Sequence, residues 1–170
     1  MKAKLLLEGK EFDIEIQDPE MIEMLTKQSQ AHKTGYEKVK EGDCYYVDDS
    51  IEGVEVIIEE CDTTDRKLYD VANYYTDMTL AEDNARADML MRRLRRFAAE
   101  ENKRCADWDS DSYKRVIYYN HNSKNLSYYS FTTTHTFGAI AFDSDEGVKK
   151  AMEIYRDELI WYFTEYKSSL

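Results

Sequence analysis

Three histidines, His32, His121 and His135, and three cysteines, Cys44, Cys61 and Cys105, are the side chains from which this chain could build a nucleophile and its base. None of the six stands in a motif that would bring such a pair together. His121 falls in a turn-rich stretch and His135 in a Thr-rich run, where an exposed or edge-strand imidazole is expected. No residue is therefore assigned a catalytic role. The alternate carboxylates Asp107, Asp109 and Asp111 loosely follow the spacing of a calcium loop, but its glycine and closing glutamate are missing, so a solvated turn is expected there. The sequence contains neither G-x-x-x-x-G-K nor G-x-G-x-x-G, and no cofactor or metal is expected. The cysteines are odd in number, widely spaced and lack a C-x-x-C pair, which argues for buried free thiols in a reducing compartment.

Charge is more informative than any single residue. Residues 41–65 carry ten acidic side chains and no Lys or Arg: Glu41, Asp43, Asp48, Asp49, Glu52, Glu55, Glu59, Glu60, Asp62 and Asp65. On strands and tight turns such carboxylates stand a few ångströms apart, a density comparable with the one charge per about 1.7 Å of duplex DNA. Asp48, Asp49, Glu52, Glu55, Glu59, Glu60 and Asp62 are accordingly the candidate contacts with a basic partner. The bland alternative is a solvated meander whose carboxylates protect sheet edges. A second cluster, Arg92, Arg93, Arg95 and Arg96, flanks Leu94 and Phe97, and guanidinium forks suit phosphate. These four are candidate RNA contacts, against a structural reading in which they complement a helix C-terminus and the chain's own carboxylates.

The elements that must carry these clusters follow from hydrophobic period. With 170 residues, 42% hydrophobic and 13% aromatic, the chain is long and apolar enough to bury a core, and one Pro with six Gly leaves no linker to divide it. An α+β fold is expected: one or more antiparallel sheets with helices packed on one face, built from ββα-like units, with a ββα unit over 1–35 and a main domain over 36–170. Residues 2–16 read as a hairpin, and Asp18-Pro19 opens a helix over about 19–31. CYYV, VEVII and VANYY are strand-like runs in a meander or hairpin, with acidic turns around Asp48-Asp49 and at 62–65. Helices are expected at 79–101 and 144–166, capped by Thr79 with Glu82 and by Asp143 with Glu146. Between them YKRVIYYN and LSYYSFTTT form a hairpin, and FGAIAF adds a third strand. VANYYTDMTLAEDNA and FGAIAFDSDEGVKKA share the order strand, acidic cap, helix, which suggests two related units on one sheet.

A net charge of −12 argues against unaided attraction to DNA, RNA or an anionic membrane and favours a basic partner. The N-terminal MKAKLLLEGKEF has only three consecutive Leu, so neither a signal peptide nor a membrane span is expected, and a cytoplasmic protein is.

The run NYYTDMTLAEDNARADMLMRRLRRFAAEEN, then ADWDSDSYKRVIYYN, then AIAFDSDEGVKKAMEIY, resembles a family of small proteins found in phages and mobile elements of Gram-positive bacteria, over about residues 36–163. Its marks are the Asn-Tyr-Tyr before the middle helix, the Trp-Asp segment before a Tyr-rich strand, and the aliphatic-Phe run before a capped helix. The resemblance implies a phage origin and a class that includes inhibitors of host defence, among them anti-CRISPR proteins that occupy the DNA-binding surface of a type II effector nuclease. The leading expectation is such an inhibitor, acting as a nucleic-acid mimic on an effector with its guide RNA. The alternatives are a metal-dependent nuclease or guide-RNA-cleaving factor, and a phage regulatory or structural subunit.

Overall fold

The structure, a computed structural model, describes residues 2–7, 10–22, 34–102, 112–132 and 138–166. It is an α+β fold whose order is β1 (Lys2–Leu7), β2 (Lys10–Glu15), β3 (Cys44–Asp49), β4 (Gly53–Ile58), α1 (Thr63–Asp70), α2 (Met78–Glu101), β5 (Lys114–Asn120), β6 (Asn125–Phe131), α3 (Asp145–Ile154) and α4 (Arg156–Thr164). The described strands make three separate antiparallel pairs, β1–β2, β3–β4 and β5–β6, which the runs VANYY and FGAIAF do not extend with a third strand.

The reason lies in two segments read as strands. VANYY supplies only Tyr75, which exchanges both backbone hydrogen bonds with Tyr46 at 2.8 and 2.9 Å. FGAIAF likewise supplies only Phe142, which exchanges both with Arg115 at 2.9 Å. Each bridge is flanked by an asparagine side chain that imitates a peptide group. Asn73 Oδ1 accepts from the Asp48 N–H and its Nδ2 donates to the Asp48 carbonyl, at 2.7 and 3.0 Å. Asn102 does the same for the Asp143 N–H and the Ala141 carbonyl, both at 3.0 Å. Side-chain amides satisfy the edge groups that a longer strand would have paired, so no longer strand is needed.

Helix α1 stands where an acidic turn was expected. Asp62 accepts from the N–H groups of Thr64 and Asp65, and the Asp65 carboxylate returns to the Asp62 N–H, a reciprocal cap that starts a helix in a polar run. The caps of α2 and α3 fall on Asp77 and Ser144, not on Thr79 and Asp143. The expected C-terminal helix is two, interrupted at Tyr155. Residues 19–22 are helical behind Asp18, whose carboxylate accepts from the Glu20 N–H at 2.9 Å, and the rest of the helix expected to 31 lies outside the described residues.

Two cores result. Leu90, Leu94, Phe97 and Ala98 of α2 pack with Phe142, Val148, Ala151 and Leu159. Tyr45 and Val47 of β3 pack with Tyr74. Helix α2 touches β3 and β4 on one side and α3 and α4 on another, so it serves as the common support. Arg86 lies 3.8 Å from the Trp161 ring centre, and Asn84 joins the Tyr36 and Tyr166 hydroxyls, tying segments far apart in sequence to this helix.

Phe142 combines near-complete burial with the bridge to β5, so Phe142→Ala should lower the unfolding free energy by about 3–5 kcal/mol in a urea titration.

Candidate partner-binding surface

The acidic stretch 41–65 is the β3–β4 hairpin with the start of α1. Its loop, Ser50-Ile51-Glu52, closes because Gly53 takes φ of 100°, where a side chain would be strained, and because Asp49 Oδ1 accepts from the Ile51 N–H at 3.0 Å.

The ten carboxylates divide by role. Glu59 and Asp65 are buried, 1% and 3% exposed. Tyr74 donates to Glu59 and Tyr45 to Asp65, each at 2.6 Å, and the two rings stack 3.9 Å apart between them. The Cys61 N–H completes Glu59, and the Glu60 and Asp62 N–H groups complete Asp65. Glu59 thus leaves the set of candidate contacts, because its carboxylate is consumed inside the fold. Asp62 is exposed but spends its carboxylate on the α1 cap.

Glu52, Glu55 and Glu60 are exposed, with Asp49 half-buried beside them. Strand alternation places Asp49 and Glu55 on the Tyr45–Val47 side of the hairpin and Asp48 on the opposite side, so the carboxylates surround the hairpin and do not tile one flat face. Asp48 faces α2, 3.7 Å from Arg92. Burial raises its carboxyl above the usual range, more than Arg92 lowers it, and Asp88 and Asp49 add to the rise.

All four arginines of the cluster are exposed. Arg92 and Arg93 also meet the chain's own acids, Asp48 at 3.7 Å and Glu158 at 3.2 Å, whereas Arg96 is mostly solvated and only 3.9 Å from the equally open Glu100. His121 is exposed in the β5–β6 turn, its ring edge-on to Tyr119. His32, His135, Cys105, Asp107, Asp109 and Asp111 lie outside the described residues. Cys44 and Cys61 are exposed, which corrects the expectation of buried thiols: Cys44 is the first residue of β3, and Cys61 sits at φ of 57° in the turn before α1. Among the described residues no group of three His, Cys, Asp or Glu could hold a metal ion, and no helix is long and apolar enough to cross a membrane.

Charge reading overlooked the exposed apolar side chains of this region. Ile51 is 92% exposed at the hairpin tip, and Val56 and Ile58 are 60% and 57% exposed on β4. The alternation in VEVII is the signal for them, since one side of a half-covered strand must face outward.

No known protein family, curated protein or solved structure matches this chain. The fold and site define an α+β protein with an acidic hairpin that carries no Lys or Arg of its own and is edged by exposed aliphatic side chains.

The two buried tyrosine–carboxylate pairs and the half-buried Glu37 set how stability varies with pH. The Tyr45 hydroxyl holds Asp65 below the usual carboxylate range, and the Thr34 N–H leads the groups that hold Glu37 at about 2 against an ordinary 4.5. Both are depressed acids, so their contribution is complete above the ordinary carboxylate range and lost as pH falls from there towards 2. Burial, with the hydrogen bond to Glu59, pushes Tyr74 from 10.0 up to about 12, and Tyr45 rises for the same kind of reason. Their contribution is complete below pH 10 and lost as pH rises from 10 towards 12. Thermal melting across pH should therefore show a plateau between these limits that falls on both sides. Tyr74→Phe removes the donor to Glu59 and the acceptor of the Val39 N–H, and should cost about 1–3 kcal/mol at neutral pH by urea unfolding.

Proposed function

We propose that this protein is a phage-encoded inhibitor of host defence that binds a basic, nucleic-acid-handling protein through the β3–β4 hairpin and excludes its nucleic acid. The observation that carries this reading is the charge imbalance of the hairpin: Glu52, Glu55 and Glu60 are exposed in a stretch with no Lys or Arg. The two buried carboxylates take their side-chain hydrogen bonds from neutral tyrosines, so the fold supports the hairpin without neutralising it. A surface of this sign attracts a groove lined with Lys and Arg and speeds encounter with it.

The family resemblance directs the choice of partner to a type II CRISPR effector nuclease with its guide RNA, and the action to a block of DNA binding or cleavage in the bacterial cytoplasm. The contacts of Arg92 with Asp48 and of Arg93 with Glu158 favour this reading over direct RNA contact. No catalytic step is part of the proposal.

The test is a charge-removed variant, Asp49→Asn, Glu52→Gln, Glu55→Gln and Glu60→Gln, which leaves the buried pairs and the α1 cap intact. Each exposed ion pair contributes about 0.2–1 kcal/mol, so removing four should weaken binding to a type II effector–guide complex by about four- to several-hundredfold at low salt, chiefly through slower association. The matching control is Arg95→Glu with Arg96→Glu, which should bind as the wild type does. Wild-type binding by the charge-removed variant, with loss in the arginine control, would sink the acidic-surface reading.

A further inference from the structure

The register of the β3–β4 hairpin decides which backbone groups of β4 face outward. Tyr46 gives both its N–H and its carbonyl to Tyr75, and Asp48 gives both to the Asn73 side chain, so at these positions β3 points away from β4. Their partners Val56 and Val54, and by the same alternation Ile58 opposite Cys44, must then point their own N–H and carbonyl groups away from β3. The outer edge of β3 is closed by Tyr75 and Asn73. The outer edge of β4 is open: among the described residues nothing bonds to the outward groups of Val54, Val56 and Ile58.

The side chains of those same three residues lie on one side of the hairpin. Val54 is half-covered, near Met89 and Arg92 of α2, while Val56 and Ile58 are mostly exposed beyond it. An open edge with exposed aliphatics is what an added strand requires: backbone partners at every second residue and a surface for its apolar side chains.

We infer that the outer edge of β4 is a docking site for an extended segment of the basic partner, which joins the hairpin as a third strand. This deepens the proposed function and rests on it. Charge selects the occupant. The edge begins just after Glu52, carries exposed Glu55 at its centre and ends just before Glu60, so an incoming strand meets carboxylates along its length. A second copy of this chain would bring its own Glu52 and Glu55 against them, and like charges across paired strands are destabilising. A segment alternating Lys or Arg with β-branched residues satisfies both sides, its cations next to Glu55 and its aliphatics on Val56 and Ile58.

The probe is a short end-capped peptide of alternating lysine and valine, compared with the same peptide N-methylated at every second amide, which keeps its charge but cannot pair. With the wild-type chain the unmodified peptide should bind and slow hydrogen exchange at the amides of Val54, Val56 and Ile58. N-methylation should weaken binding by about tenfold or more. Val56→Pro removes an outward N–H without removing a bond to β3, and should have a similar effect with the circular dichroism spectrum unchanged. Glu52→Gln with Glu55→Gln should weaken binding and flatten its salt dependence. Equal binding of both peptides to the wild-type chain, with loss only in the glutamine variant, would overturn the edge inference and leave the acidic-surface reading standing. Equal binding of both peptides by the glutamine variant as well would remove both. A homodimer that Val56→Pro dissociates, with no peptide bound, would assign the edge to a second copy and overturn the inference.

Discussion

Two tyrosine hydroxyls holding two buried carboxylates are the arrangement on which the acidic half of this molecule depends. A stretch with ten carboxylates and no cation repels itself, and taking any of its charges out of water is costly unless they are well hydrogen-bonded. The fold takes Glu59 and Asp65 inside and satisfies them with Tyr74, Tyr45 and nearby backbone N–H groups. Charge-assisted hydrogen bonds from neutral donors are strong, and the stacked rings exclude water from them. Lys or Arg in the same places would have stabilised the hairpin and neutralised it together. Tyrosine keeps stability and negative charge separable, which is why the hairpin can be both ordered and strongly acidic.

Edges are treated unequally. Asn73 and Tyr75 close β3, and Asn102 with Phe142 makes the corresponding closure beside β5, so two short hairpins are finished by side-chain amides and single residues. The outer side of β4 has no such device among the described residues. Central Glu55 discourages pairing between copies of the chain, as charged residues on natural edge strands do, while leaving the edge suited to a strand of opposite charge.

Helix α2 explains where the cations go. Arg86 lies on Trp161, Arg92 reaches Asp48 and Arg93 pairs with Glu158, so much of its positive charge ties neighbouring elements to the support. These contacts are short-ranged and half exposed, and each contributes little alone. Their collective effect is on distribution: basic residues are gathered along α2, and the outer rim of the hairpin is left uncompensated.

The sequence by itself determined the α+β class, the β3–β4 and β5–β6 hairpins and the position of α2, because changes of hydrophobic period between two and 3.6 are local properties of consecutive residues. It also located the acidic stretch, since charge is read directly from composition. Helix α1 was legible in principle through Asp62 and Asp65, but a reciprocal cap in a polar run has no apolar stripe to announce it. Only the tertiary structure decided that Tyr75 and Phe142 act as single bridges, because a strand's length depends on which distant groups satisfy its edge. It alone separated Glu59 and Asp65 from Glu52, Glu55 and Glu60. Those five residues are chemically alike along the chain, and what divides them is whether a tyrosine contributed by β3, or by the turn before α2, stands against the carboxylate in space.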